Sequence, residues 1–216
     1  MRIKSIFLLF FVASSFVSMA QTNTEIIVPQ FNDKYSEYVK KLESGQTDID
    51  YKAFRESFIE SQQFIIASKQ STVFDSLQKV MHEMMQKQNY EEIIKVTKQM
   101  LSIDYTSLMA HKILQQTYKI IGDTVKKKRY HDIEFGLLYS IIKNGDGKTC
   151  ASGWPVIQIS EEYFILQMVG AQLKQQSLDN SGGICDKMEV TTDEGEKTYY
   201  FEASKIFEGY KKLGLK

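Results

Sequence analysis

The chain has 216 residues, and its 27 basic side chains balance 27 acidic ones, so the formal net charge at neutral pH is zero. This length suits one compact domain or two small ones. The balanced charge disfavours nucleic acid as the main partner, because binding a phosphate backbone needs a basic excess on one face.

The first part of the chain, residues 1–20, has the pattern of a bacterial secretory signal peptide. Arg2 and Lys4 precede an apolar run at positions 6–17 that is too short to span a bilayer. The two positions that a signal peptidase reads carry small side chains, those of Ser18 and Ala20. We therefore predict cleavage between Ala20 and Gln21, and a periplasmic or secreted protein that is soluble after signal removal. An uncleaved N-terminal anchor is the alternative.

Apolar residues recur with helical spacing between Pro29 and Pro155, and residues 21–143 are predicted to form a helical region. The first predicted helix begins at Asp48 or Asp50, either of which can cap a helix N-terminus. One apolar stripe follows this cap, formed by Tyr51, Phe54, Phe58 and Ile59. Such a stripe is typical of a helix that buries one side.

A second helix is predicted to begin at Ser71 or Thr72 and to end before residues 87–89, where the pattern breaks. One side of this helix is formed by Phe74, Leu77, Val80, Met81 and Met84. Two more helices are predicted, one from Tyr90 to Leu101 and one from a cap at Asp104 or Ser107 to Ile121, just before Gly122.

The segment from about residue 74 to 122 resembles a tetratricopeptide repeat, a helical hairpin of about 34 residues. Residues 87–93 stand where the turn and second helix of that repeat begin, and Tyr118 and Gly122 match the next aromatic and turn glycine. Larger side chains replace the small residues of the repeat at four positions: Met81, Ile93, Met100 and Lys127. The resemblance therefore implies a degenerate array of antiparallel helical hairpins, and an irregular helical bundle remains the alternative.

The last part of the chain, residues 144–216, is predicted to be a β-rich region packed on the helices. Turn residues and glycines become frequent here, beginning with the turn at 144–147. Four strands are predicted, at Val156–Ile159, Ala171–Leu178, Lys187–Thr192 and Thr198–Phe201. The segment Glu161–Gly170 fits a helix or a strand, and a short helix is favoured because Tyr163, Leu166, Val169 and Gly170 lie on one helical face. A final helix is predicted at Ser204–Leu213. The expected fold class is α+β, with helical hairpins followed by a small antiparallel sheet.

Most of the chain after residue 20 resembles the exported bacterial family catalogued as domain of unknown function 4919. The resemblance lies in Ile49-Asp50-Tyr51, Phe54-Arg55, Gly145-Asp146-Gly147, Val156-Ile157, Ser160 to Leu166, Gln176-Ser177-Leu178, Cys185 to Val190 and Tyr199 to Glu202. The resemblance implies an exported protein with a helical first half and a β-rich end. It gives no indication of an activity, because the family has no assigned function. Cys185 stands where the family pattern has an aromatic residue. This departure from the pattern suggests a disulfide bond between Cys185 and Cys150.

The two cysteines of the chain, Cys150 and Cys185, are predicted to form a disulfide, because exported proteins meet an oxidising compartment. Two buried free thiols are one alternative. A nucleophilic cysteine is another, although no histidine lies near either cysteine in the sequence.

The sequence contains no residue pattern that compels a catalytic, cofactor or metal site. Its histidines, His82, His111 and His131, lie on separate predicted helices without the spacing of paired metal ligands. The adjacent Glu161 and Glu162 diverge by about 100° on a helix, so we expect them to complement the helix dipole. Two acidic residues could still meet across the fold without any local signal, and the sequence leaves that open.

Three further features are interpreted as structural. Residues 144–147 favour a tight turn over a calcium loop, because no glutamate closes the ring at the twelfth position. The basic run 126–129 is expected to be a solvated helix face. Trp154 and the aromatic cluster 199–201 favour core packing over a ligand surface.

The favoured function is a non-enzymatic module whose helical part binds another protein or a peptide. The alternative is an uncharacterised hydrolase that uses acidic residues near Glu162 and His131. A concave helical face with exposed aromatic rings would favour the first, whereas a deep pocket on Glu162, His131 and Asp146 would favour the second.

Overall fold

The computed structural model describes residues 25–215. The predicted signal peptide, with its cleavage point between Ala20 and Gln21, lies outside the described residues. Within the described range, no helix is both long enough and apolar enough to cross a membrane.

The first half of the described chain is helical. Its helices are α1 (Lys34–Glu43), α2 (Tyr51–Glu60), α3 (Gln62–Lys69), α4 (Ser71–Gln86), α5 (Tyr90–Ile103), α6 (Leu108–Ile120) and α7 (Thr124–Ile142). Side chains cap the N-termini of α2 and α6, since Asp50 accepts from the backbone N–H of Ala53 and Ser107 from that of Ala110. These caps confirm one of the two alternatives predicted for each helix.

Consecutive helices pack as hairpins, with α4 against α5 and α6 against α7. This arrangement is consistent with the predicted tetratricopeptide-like region. Gln88, between α4 and α5, has a φ of 54°, and Gly122, between α6 and α7, has a φ of 81°. The predicted stripe of α4 is only partly correct, because Met81 is fully buried while Val80 is exposed.

The second half contains a four-stranded sheet with two helices. The elements are β1 (Trp154–Pro155), α8 (Ile159–Met168), β2 (Gln172–Asp179), β3 (Cys185–Thr192), β4 (Gly195–Glu202) and α9 (Ser204–Lys212), with the strands in the order β1-β4-β3-β2. Strands β2, β3 and β4 pair antiparallel as predicted, but β1 pairs parallel to β4. The sheet is therefore mixed, and the fold class is α+β.

The strand predicted at Val156–Ile159 is wrong. Pairing with β4 stops after Pro155, and the N–H of Ile157 instead donates to the Glu161 carboxylate, at 2.8 Å. Val156 and Ile157 are buried without forming a strand, because apolar side chains in a core-facing loop resemble a short strand in sequence.

The predicted helix α8 is present, but the face formed by Tyr163, Leu166, Val169 and Gly170 is not the face that it buries. Tyr163 and Val169 are exposed, whereas Glu161, Glu162, Phe164 and Ile165 are buried along with Leu166. The reason is that α8 buries two carboxyl groups with partners on other elements, and a hydrophobic pattern does not reveal this.

Two links hold the second half together and fasten it to the helices. Cys150 and Cys185 form a disulfide with a Cα–Cα distance of 5.7 Å, as predicted. At the end of α9, the Lys212 ammonium donates to the backbone carbonyls of Ile59 and Glu60, at 2.9 and 2.7 Å. These carbonyls lie at the C-terminus of α2, where a positive charge is favourable.

Candidate functional site

A groove of about 670 Å³ runs between helices α3 and α4 on one side and α8 on the other. It is lined by Phe58, Phe64, Ala67, Ser68, Ser71, Phe74, Asp75, Gln78, Met100, Ile103, Asp104, Ser107, Met109, Gln158, Ser160, Tyr163, Phe164 and Gln167. These residues come from both halves of the chain, so the groove exists only when the helices and the α8 region are packed together.

The groove is apolar at depth and polar at its rim. Phe58, Met100 and Phe164 are almost completely buried and form part of the hydrophobic core beneath it. Ser71 and Ser160 are exposed, and Tyr163 keeps 45% of its surface exposed. The Tyr163 hydroxyl lies 3.2 Å from the Gln176 side-chain oxygen on β2, which holds this ring at the rim.

Asp104 is the polar centre of the groove. Its Oδ1 accepts from the backbone N–H of Thr106 at 2.8 Å and from the Thr106 hydroxyl at 2.6 Å. Its Oδ2 accepts from the Gln158 amide at 3.0 Å, and the same amide donates to the Thr106 hydroxyl at 2.9 Å. Burial raises the pKa of the Asp104 carboxyl, while these hydrogen bonds act in the opposite direction.

The backbone around Asp104 explains its position. Asp104 ends α5, and the bond from its side chain to the N–H two residues further on forms an Asx turn. Nearby, the buried Gln63 of α3 donates to the carbonyl of Ile103 at 2.9 Å. This contact joins α3 to the end of α5. It therefore attaches one wall of the groove to the residue that precedes Asp104.

The charged residues that line the groove are both acidic. Asp104 lies at depth and Asp75 is exposed on α4, whereas no Lys, Arg or His is among the lining residues in the described part of the chain. The remaining polar groups are neutral hydroxyls and amides. The groove therefore offers hydrogen-bond partners along its length and negative charge at two points.

A second unusual feature, the carboxyl of Glu162, lies outside the groove. Glu162 is fully buried, and its carboxyl interacts with that of Asp186 on β3. Burial, and then the nearby carboxylates of Asp186 and Glu161, raise the pKa of Glu162 to about 9. Burial raises the pKa of Tyr210 on α9, and the nearby carboxyl groups of Glu162 and Asp186 raise it further.

The pairing of Glu162 with Asp186 answers a question that the sequence left open. Two carboxyl groups do meet across the fold, one from α8 and one from β3, but both side chains are buried. A neutral carboxyl that is buried away from solvent affects the stability of the protein, and a substrate in solution does not contact it.

The three histidines occupy different environments. His82 and His131 are exposed on α4 and α7, and the His131 ring lies near Phe135. His111 is fully buried, and its Nε2 lies 2.8 Å from the Tyr105 carbonyl. Burial lowers the pKa of His111 to about 4, so the ring is neutral near pH 7 and its Nε2–H donates to that carbonyl.

The other candidate residues have structural surroundings. The half-buried Trp154 packs on Tyr199 and Phe201, and its indole N–H donates to the Gly145 carbonyl at 3.1 Å. Asp146 is exposed and accepts from the Ser152 hydroxyl, at 2.6 Å. Across residues 25–215, no three side chains of His, Cys, Asp or Glu converge as metal ligands would.

The basic run at 126–129 is only partly a solvated face. Arg129 is mostly buried, and its guanidinium pairs with Glu43 at 2.9 Å and donates to the Leu42 carbonyl at 2.6 Å. Lys126 and Lys128 form ion pairs on their own helix or at its cap. The reason for the difference is that Arg129 joins α7 to the end of α1, a contact that a charge pattern in the sequence does not reveal.

One comparison with known proteins gives a match. The model of a family described as a domain of unknown function, DUF4919, matches residues 28–212. The chain belongs to this family. No curated protein and no solved structure shows a significant match.

The matched DUF4919 range contains every residue that lines the groove. It also contains Glu162, Asp186 and both cysteines. Sequence reasoning singled out Glu162 and the cysteines but missed the groove. The sequence indicates Asp104 only as a possible cap of α6, and the signal for another role is the turn-forming order Asp104, Tyr105, Thr106.

Proposed function

We propose that this DUF4919 protein is a non-enzymatic module that binds a peptide segment of another protein in the groove between α3, α4 and α8. The observation that carries the proposal is the combination of a buried aromatic base with an exposed polar rim. Phe64 and Phe74, which are partly exposed, supply apolar surface for a side chain, and the rim remains open to solvent.

The neutral polar side chains favour a peptide over a purely apolar ligand. Hydroxyls and amides from α3, α4 and α8 line the groove: Ser68, Ser71, Gln78, Ser160 and Gln167. A peptide backbone presents an N–H donor and a carbonyl acceptor at nearly every residue, and side chains of this kind can pair with both. Helical hairpin arrays also form extended surfaces suited to such segments.

The alternative, a hydrolase using Glu162 and His131, receives less support. Glu162 is sealed in the core, whereas His131 is exposed on α7 beside Phe135. A general acid or base must reach the reacting atoms of a substrate, and the buried position of Glu162 does not provide this. We therefore keep the binding module as the proposed function.

We further propose that the protein acts outside the cytoplasm, in the periplasm or as a secreted protein, after cleavage between Ala20 and Gln21. The disulfide between Cys150 and Cys185 supports this, because such bonds persist in oxidising compartments. N-terminal sequencing of exported protein should begin at Gln21. Uncleaved protein retained in the membrane would contradict this part of the proposal.

Binding can be tested by selecting from a phage library of random 12-residue peptides on the immobilised protein. Enriched peptides are then synthesised with a fluorescent label and titrated by fluorescence anisotropy. Ser71→Trp places a large ring in the groove from the first turn of α4, where Ser71 is exposed. We expect this variant to weaken binding roughly tenfold or more, since the ring occupies the space of the peptide.

The matched control is Ser76→Trp, the same change on the same helix at an exposed position that does not line the groove. It should bind the selected peptides as the unaltered protein does. The proposal fails if no peptide is enriched, or if Ser71→Trp and Ser76→Trp bind equally well.

A further inference from the structure

The two acidic side chains of the groove define what kind of peptide it can accept. Asp104 and Asp75 carry its only charges among the described lining residues, and no basic side chain from the groove neutralises them. A groove with this charge disfavours an acidic ligand and favours a cationic one. The arrangement therefore selects among peptides of similar apolar content.

Asp104 retains capacity for one more hydrogen bond. A carboxylate oxygen can accept two hydrogen bonds. Oδ1 already accepts two from Thr106, while Oδ2 accepts one from Gln158. Among the described residues, one acceptor position of Oδ2 is therefore not filled by the protein itself.

A cationic donor suits this position better than a neutral one. Asp104 as a residue is only 7% exposed, so a charge on its carboxylate is poorly solvated. Its surroundings include a second carboxylate, Glu161, whose charge acts on Asp104 in the same unfavourable direction as burial. An ammonium or guanidinium at Oδ2 would form a charge-assisted hydrogen bond and offset both effects.

We infer that the groove recognises a peptide segment in which an apolar side chain is accompanied, within a few residues, by a Lys or Arg whose cationic group reaches Asp104. This inference rests on the proposed function. The apolar side chain packs on Phe64 and Phe74, and the exposed Asp75 on α4 adds a second negative charge at the rim.

The test uses the same phage library of random 12-residue peptides. Peptides enriched on the unaltered protein should contain Lys or Arg near an aromatic or large aliphatic residue. One enriched peptide is synthesised with Lys and with acetyl-lysine, which keeps the chain length and removes the charge. We expect acetylation to weaken binding roughly 10- to 100-fold, the range for a hydrogen bond to a charged group.

Two variants show whether the groove carboxylates are responsible. Asp104→Asn keeps an acceptor for Thr106 and removes the charge, and Asp75→Asn removes an exposed charge without touching the core. Both should reduce the difference between the Lys and acetyl-lysine peptides, Asp104→Asn the more strongly. Asp75→Asn also provides a reading if Asp104→Asn folds poorly, and Asp48→Asn serves as a control at a position outside the groove.

The outcomes separate this inference from the proposed function. Enriched apolar peptides without Lys or Arg, or equal affinity for the Lys and acetyl-lysine forms, would overturn the inference while leaving peptide binding in place. A preference for Lys that both groove variants leave unchanged would also overturn it. A library with no enriched peptide would contradict the proposed function itself.

Discussion

Arg55 on α2 and Glu161 on α8 form a two-pronged ion pair in the interior of the protein. Arg55 Nε donates to Oε1 at 2.7 Å and Nη2 donates to Oε2 at 2.6 Å, and each side chain is only 3% exposed. The guanidinium also donates to the Ser140 hydroxyl and the Pro155 carbonyl. This pair joins α2, α7, β1 and α8.

Arg55→Met should destabilise the protein strongly, because it leaves the Glu161 carboxylate buried without its partner. Breaking a buried pair in this way costs about 3 to 5 kcal/mol. The double variant Arg55→Met with Glu161→Leu should lose much less than the sum of the single variants, as urea unfolding can measure. Lys128→Met, which breaks an exposed pair with Asp132, is the control and should cost about 0 to 1 kcal/mol.

Glu162→Gln should stabilise the protein at neutral pH. The carboxyl has an ordinary pKa of 4.5 and a folded pKa of about 9. Between these values the unfolded chain has lost a proton that the folded protein keeps, so the free energy of unfolding decreases as the pH rises from 4.5 to 9. The buried carboxyl therefore lowers the free energy of unfolding by up to about 3 kcal/mol at pH 7, and this effect vanishes below pH 4.5.

Urea unfolding of Glu162→Gln at pH 4, 7 and 9 checks this. We expect little gain at pH 4 and a growing gain at pH 7 and 9. Glu83→Gln, at an exposed position on α4, should follow the unaltered protein throughout. A gain from Glu162→Gln that is independent of pH would contradict the account of a neutral buried carboxyl.

Gly136→Ala should destabilise the protein, although the same change in an open helix usually stabilises it by about 0.5 to 1 kcal/mol. A Cβ at position 136 would overlap Cε2 of the Tyr51 ring, where α2 contacts α7. We expect a loss of about 1 to 3 kcal/mol in thermal or urea unfolding. Combining it with Tyr51→Ser should remove most of this loss relative to Tyr51→Ser alone, and simple additivity would argue against the contact.

Replacing both cysteines by alanine should lower the free energy of unfolding by roughly 3 to 4 kcal/mol, as expected for a bond that closes a loop of this length. A reducing agent should lower the melting temperature of the unaltered protein and leave that of the double variant unchanged. If the native chain yields two free thiols when titrated under denaturing, non-reducing conditions, the bond is absent and this prediction is wrong.

The parts of the fold that the sequence predicted well are those with local causes. Asp50 and Ser107 cap helices through bonds to residues three positions away, and the break at 87–89 separates α4 from α5 over a few residues. Such features depend on short stretches of chain, so composition and spacing contain the necessary information.

The parts that the sequence missed depend on distant residues. The pairing of Arg55 with Glu161 links positions 106 apart, and this contact turns the charged side of α8 inward. The groove likewise combines Phe58 and Phe74 with Tyr163, and no local pattern brings these three rings together. A pattern of hydrophobic spacing treats an acidic residue as exposed unless its partner is known.

The central claim, that a peptide occupies the groove between α3, α4 and α8, is tested most directly by NMR of the protein labelled at its methionine methyl groups. Met100 and Met109 line the groove, whereas Met188 is buried in the sheet and Met85 is exposed on α4 outside the groove. Titration with an enriched peptide should shift the signals of Met100 and Met109 and leave those of Met188 and Met85 in place. Saturating peptide that shifts Met85 or Met188 while leaving Met100 and Met109 unchanged would contradict the claim.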